Sequence, residues 1–123
     1  MHYETLTGLA EKLARREVSS QEVTQAQLAR IAQLEPQLNA FALVTGEMAL
    51  DQARAADAEI ACGIHRGPLH GVPIAVKDLC AIAGTPTGAG MAPGLRQIAA
   101  EDASLARRLK QAGAVLIGKT ELS

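Results

Sequence analysis

Lys77 stands at the end of the apolar run Val72-Pro73-Ile74-Ala75-Val76 and directly before Asp78. A lysine amine does base chemistry only after it loses its proton, and low-dielectric surroundings favour that neutral form. A lysine half held by the end of a buried strand would meet this condition, and proton abstraction is the chemistry it could do. The same spacing also suits a lysine that snorkels to the surface and pairs with Asp78. Cys62, His65, His70 and Cys80 make a second candidate set, four residues of zinc-ligand type. No C-x-x-C or H-x-x-x-H pair anchors either half of it. His70, between Leu69 and Gly71, therefore reads as a hydrogen-bonding loop residue, and Cys80, after Leu79, as a small buried filler.

A third candidate is Gly113-Ala114-Val115-Leu116-Ile117-Gly118-Lys119-Thr120, which fits the phosphate-binding pattern G-x-x-x-x-G-K-[ST] letter for letter. A phosphate loop needs a strand before the first glycine and a helix starting near the lysine, so that backbone N–H groups curl round the phosphates. Here the residues before Gly113 have a helical pattern and those between the glycines read as a strand. A strand sends its N–H groups sideways into a ladder. Only Glu121-Leu122-Ser123 follow Thr120 in this chain, too few for the helix. Nucleotide binding is not expected.

The elements that must position these residues are legible from periodicity and capping. Thr5 or Thr7 can cap a first helix through about Glu17, with Leu6, Leu9, Ala10 and Leu13 as its apolar stripe. Ser19-Ser20-Gln21-Glu22 is a capping-box pattern that opens a second helix, with Val23, Leu28, Ile31 and Leu34 on one face and Pro36 as its stop. Ala40 to Val44 suits a short edge or first strand. A third helix is expected from about Gly46 to Ala61, its alanines allowing close approach and Arg54 facing Asp57 or Asp51. Val72–Val76 is the next strand, and the stretch from Ala83 to Pro93 is a glycine-bearing loop that is either a backbone cradle or a plain turn region. Asp102 is placed to cap the last helix, which should end at Gly113 before a strand over Ala114–Ile117.

Helix, strand, helix, strand, helix, strand is the alternation of an α/β protein. Three strands leave long open edges, which fits a piece of a larger sheet. At 123 residues and 48% hydrophobic the chain can bury a core, though with one Phe (Phe41), one Tyr (Tyr3) and no Trp the packing falls to Ala, Leu, Ile and Val. A formal charge of −1 gives no field that would draw nucleic acid or an anionic membrane. No apolar run approaches the ~20 residues that span a bilayer. The start Met1-His2-Tyr3-Glu4 lacks the marks of a signal peptide, so a cytoplasmic protein is expected. Two cysteines are too few for a disulfide framework. No repeat or Pro/Gly/Ser linker marks an internal boundary.

The segment Gly67-Pro68-Leu69-His70-Gly71-Val72-Pro73-Ile74-Ala75-Val76-Lys77-Asp78 closely resembles the lysine-bearing motif of the amidase signature family. The resemblance continues through Ala83-Gly84-Thr85-Pro86-Thr87-Gly88-Ala89-Gly90, resumes at Asp102-Ala103, and runs through Leu109 and Ala112 to Thr120. It implies the N-terminal part of an α/β/α fold, a mixed, largely parallel sheet covered by helices. Residues 1–66 would be its mostly helical N-terminal part and 67–123 the lysine-bearing segment of a partial domain.

The resemblance further implies hydrolysis of a carboxamide by a serine–serine–lysine triad. One serine attacks the carbonyl, and a second, in a cis peptide, relays the proton to the lysine, here Lys77. Both serines of the family lie in a Gly/Ser-rich stretch beyond Thr120. Ser19, Ser20, Ser104 and Ser123 have no such setting, so the chain alone is expected to be inactive. Asp78 is assigned to holding the loop or pairing with a cation, and Lys119 to a surface position at a strand end. Met91 and Gly88 depart from the hydroxyl residues frequent at those family positions. No metal, nucleotide or organic cofactor is implied. The partners implied are a small amide substrate, no nucleic acid directly and no membrane. An alternative within the family is the glutamine-hydrolysing component of the tRNA-dependent amidotransferase, its A subunit, which frees ammonia from glutamine and works with partner subunits. An alternative of another class is a non-catalytic remnant that acts as a binding piece.

Overall fold

The computed structural model describes residues 5–78, 80–87, 97–98 and 100–120. Helix α1 spans Leu6–Ala14 and is capped by the Thr5 hydroxyl, which accepts the Gly8 N–H at 3.0 Å. It ends earlier than the expected Glu17, because Arg16 turns into the left-handed region (φ 63°) and the Arg16 and Glu17 N–H groups bond back to Leu13 and Lys12. Helix α2, Ser20–Leu38, opens with the expected capping box between Ser19 and Glu22. Its first N–H groups have a second acceptor, as Asp57 takes those of Ser20 (2.6 Å) and Gln21 (3.0 Å). Pro36 does not stop this helix. It lies inside the last turn, and the chain leaves the helix at Asn39 in the left-handed region (φ 51°). The helix loses the one bond that a Pro36 N–H would have made and carries on to Leu38, and the break falls where the backbone can invert.

Strand β1 is Phe41–Val44, helix α3 is Gly46–Ala61, and strand β2 is Pro73–Lys77. Short strands β3 (Pro86–Thr87) and β4 (Gln97–Ile98) pair antiparallel, a ladder that no local sequence signal announces. Helix α4 is Ser104–Gln111, and β5 is Val115–Thr120, longer than the apolar run alone indicates. The sheet order is β1-β5-β2, with β1 antiparallel and β2 parallel to the central β5, so the sheet is mixed.

Strand β5 is buried over nearly its whole length. Val115 and Ile117 pack on Ala49 and Ala53 of α3, with Leu28, Ile31 and Ala75 at the margin. Leu116 packs with Val76, Cys80, Ile82 and Ala106 of α4. Helices therefore cover both faces of the central strand, the arrangement parallel pairing requires. Each fully buried Val, Leu or Ile side chain contributes roughly 1.5–3 kcal/mol. The alanine stripe of α3 lets that helix approach the sheet closely, as its spacing indicated.

Gly118 sets how closely β1 can lie. A Cβ there would stand 2.6 Å from the Leu43 carbonyl oxygen and 2.8 Å from Phe41 Cδ2. The opposing backbone cannot give way without breaking the β1–β5 ladder at its irregular point between Phe41 and Leu43. Gly118→Ala should therefore lower stability by about 1–3 kcal/mol, the range for overpacking a full site. Denaturant unfolding of the native and variant proteins measures it, and an unchanged midpoint would contradict the contact.

Candidate active site

Because β2 and β5 run parallel, their carboxyl ends lie at one end of the sheet, the usual place for ligands in α/β folds. Lys77 is opposite Thr120 in that ladder. The Asp78 N–H donates to the Thr120 carbonyl at 2.9 Å, and the Cys80 N–H donates to the Lys77 carbonyl at 2.9 Å. The Thr120 hydroxyl reaches the Val76 carbonyl at 3.4 Å. The backbone carrying Lys77 is thus tied on both sides.

The Lys77 side chain is exposed, which corrects the expectation that the strand end half-buries it. In this chain β2 is an edge of the sheet, and no described element covers its last residue. Lys119 is the buried lysine. It is 0% exposed, the largest fully buried side chain among the described residues, and its Nζ lies 3.4 Å from Oδ1 of Asp78, itself 2% exposed. The expectation of a surface lysine at a strand end fails for a simple reason: β5 is central and continues through Thr120, so Lys119 enters the interior. A buried ammonium needs an opposite charge, and Asp78 supplies it. Asp78 thus takes the cation-pairing role expected of it, with Lys119 rather than with Lys77.

The phosphate-loop letters have the same kind of explanation. Gly113 follows α4 in the left-handed region (φ 80°), where the Gly113 and Ala114 N–H groups bond to Lys110 and Leu109. Its missing side chain leaves room for the His70 ring. Gly118 faces β1, Lys119 is inside the protein, and the residues between the glycines form a strand. Nothing in this arrangement curls N–H groups round an anion.

Residues 22–123 match the profile of the Amidase family. The chain belongs to that family. An amidase of Pseudomonas putida is 47% identical over 94% of the chain, which covers 24% of that relative. In Methylococcus capsulatus, the A subunit of the glutamyl-tRNA(Gln) amidotransferase is 48% identical over 99% of the chain, which covers 25% of its length. The native peptide amidase of Stenotrophomonas maltophilia superposes with a TM-score of 0.91 at 40% identity, over 98% of this chain and 25% of that one. The chain thus spans about a quarter of the length of the relatives it matches.

In this amidase-family chain His70 is the hydrogen-bonding loop residue its setting indicated. Its Nδ1 accepts the Arg66 N–H at 3.2 Å, so the ring proton sits on Nε2 and is donated to Glu59 Oε1 at 3.1 Å. Arg66 completes the clip, holding Glu59 and reaching the Gln111 carbonyl at 3.0 Å. The hydrogen bond from Arg66, against some opposing burial and with help from His70, holds the Glu59 carboxyl below its usual range. The clip ties the loop before β2 to the end of α4. No signal in the sequence linked Glu59 to Arg66 and His70, which meet only in the tertiary structure. Cys62 is exposed while Cys80 lies in the core, and no His/Cys/Asp/Glu group suited to a metal ion occurs among the described residues.

The serines present have other tasks. Ser19 caps α2, the buried Ser20 hydroxyl donates to the Gly71 carbonyl at 2.7 Å, and Ser104 begins α4. Ser123, Met91, Gly88 and most of the glycine-bearing loop lie outside the described residues. At the near end of that loop, Thr85 is buried and its hydroxyl donates to the Ile82 carbonyl at 2.7 Å.

Asp102 does not cap α4, whose N-cap is Ala103 with no side-chain cap bond. One residue too early for capping, its carboxylate turns back to accept the Ala83 N–H at 2.8 Å and the Lys110 ammonium at 2.9 Å. Burial opposes its ionisation, but these two bonds outweigh burial and hold the carboxyl below its usual range. A carboxyl depressed in the folded state stabilises the protein above its unfolded pKa of about 4, and the gain is lost as pH falls through the folded value. Asp102→Asn should therefore cost about 1–2 kcal/mol near neutral pH. The difference from the native protein should shrink as pH falls below about 4 and vanish only beneath the depressed folded value, where both carry a neutral side chain. Denaturant unfolding at pH 7 and pH 3 tests it, and an equal cost at both would assign the effect to packing.

Proposed function

We propose that a protein containing this chain hydrolyses a small carboxamide, with Lys77 as its general base. The observation that carries this reading is the division of labour between two lysines. Asp78 is committed to the buried Lys119, while Lys77, on a tied backbone at the carboxyl end of β2, keeps an exposed amine. A structural lysine would be expected to hold the neighbouring acid, and here another one does.

In the proposed reaction a serine supplied by residues outside this chain attacks the amide carbonyl. Its proton passes through a second, bridging serine to Lys77 Nζ, and later to the departing amine, so the lysine ends each half-reaction ready for the next. Lys77 must be neutral at the moment of attack. In this reading the cover that removes water from its amine comes from outside the described residues. The chain by itself provides the base and no serine nucleophile, and is inactive alone.

A second reading stands beside it because the Methylococcus capsulatus amidotransferase component is as similar as the amidases are. In that reading the same base acts on glutamine, and the protein works with partner subunits. Release of ammonia from glutamine only when partner subunits are added would favour it, whereas turnover of simple carboxamides by the isolated protein would favour the first. In either case Lys77→Ala in the full-length protein should lower kcat by at least about 100-fold with substrate binding largely kept, since acid–base groups contribute ~10²–10⁴-fold. Steady-state kinetics decides, and retention of more than about a hundredth of the rate would remove Lys77 from the base role.

A further inference from the structure

Side chains alternate between the two faces of a strand, and at the end of β2 this gives Lys77 different company from its neighbours in the chain. Val76 packs on the α4 side with Leu116 and Cys80, and Asp78, two residues on, meets Lys119. Lys77 therefore projects from the other face, on which Ala75 borders the α3 cluster. Across the ladder Ala75 is paired with Gly118 and Lys77 with Thr120, a register held by the 2.9 Å bond from the Asp78 N–H to the Thr120 carbonyl. Paired residues of neighbouring strands share a face and stand about 4.8 Å apart, a span that the four-carbon stem of a lysine covers. Ala75 and Gly118 bring no polar side chain, so the hydroxyl beside Lys77 in this ladder is that of Thr120.

That hydroxyl is half-buried and loosely held. Its bond to the Val76 carbonyl is 3.4 Å long, beyond the usual O–H···O length of about 2.7–2.8 Å. The bond uses the hydroxyl proton and leaves the oxygen's lone pairs to accept. Among the described residues no hydrogen bond or ion pair holds the Lys77 amine. A neutral amine has two N–H donors and a single lone pair, and a base must aim that lone pair at the proton it takes. An acceptor that holds one N–H fixes where the lone pair points.

We propose that Thr120 is a positioning residue for the reaction, its hydroxyl oxygen accepting an N–H of the Lys77 amine and so turning the amine's lone pair toward the incoming proton. This rests on the reading of Lys77 as the base. The hydroxyl touches neither the substrate nor the proton in transfer, so its loss should slow the chemical step and leave substrate binding as it was.

The test is the steady-state kinetics of the full-length protein, with benzamide or glutamine as substrate according to which the native protein turns over. Thr120→Val keeps the branched shape and removes the acceptor, Thr120→Ala removes hydroxyl and methyl together, and Thr120→Ser keeps the hydroxyl alone. The Val and Ala variants should lose about three- to tenfold in kcat, the share of one neutral hydrogen bond, with KM within about twofold of native. Thr120→Ser should recover most of the rate. Because the long bond to Val76 adds little to the fold, the denaturant midpoints should stay near native. Folded Val and Ala variants with native kcat would overturn the proposal. So would a raised KM at native kcat, which would make Thr120 a substrate contact, or a serine variant as slow as the valine one, which would assign the effect to the methyl group. Loss of folding in both the Val and Ala variants would give the hydroxyl a structural role only and overturn it too. Native-like turnover by Lys77→Ala is a separate failure, that of the base reading itself.

Discussion

A strand covered on both faces leaves its polar atoms no water to turn to, and β5 carries a lysine into that position. The ammonium of Lys119 must meet a carboxylate inside the protein, and Asp78 at the end of β2 is the group that reaches it. That requirement couples the two strands at the end where Lys77 emerges. The neighbouring positions on β5 answer to packing: glycine at 118, where β1 passes close by, and hydrophobic residues at 115–117, where α3 and α4 pack.

The opposite end of the same two strands is held by different means. The Gly71 N–H donates to the Gly113 carbonyl at 2.8 Å, and His70 packs where Gly113 has no side chain. The Glu59–Arg66–His70 clip then joins the loop before β2 to the end of α4. Fixing a parallel pair at both ends leaves little freedom in register. A one-residue slip would turn every side chain of β2 to the other face and would take Lys77 with it.

Residues 113–120 show how far a short motif depends on its setting. The same eight letters that wrap a phosphate when they form a loop form here a helix-ending turn and a buried strand. Each glycine answers a steric demand, one from a histidine ring and one from a neighbouring strand, and the lysine answers a buried acid. The expectation that no phosphate site would form there came from hydrogen-bond direction, which the local pattern of helix and strand already determined.

Sequence alone determined the four helices, the three strands of the main sheet and the family, though not every helix end. Apolar periodicity, the Ser19–Glu22 capping box, the alanine stripe of α3 and the glycine after α4 are short-range signals, and each marks a structure that forms over a few residues. The motif around Lys77 likewise carries the family in its residues alone. Burial was decided by tertiary structure. Lys77 and Lys119 both end apolar runs, and nothing in their neighbours along the chain says which is covered. The order β1-β5-β2 says it, by putting one lysine on the central strand and the other on an edge. The partner of Asp102 was decided in the same way: capping is a matter of residues three apart, whereas the loop at Ala83 that takes its carboxylate is brought near only by the packing of α4 on the sheet.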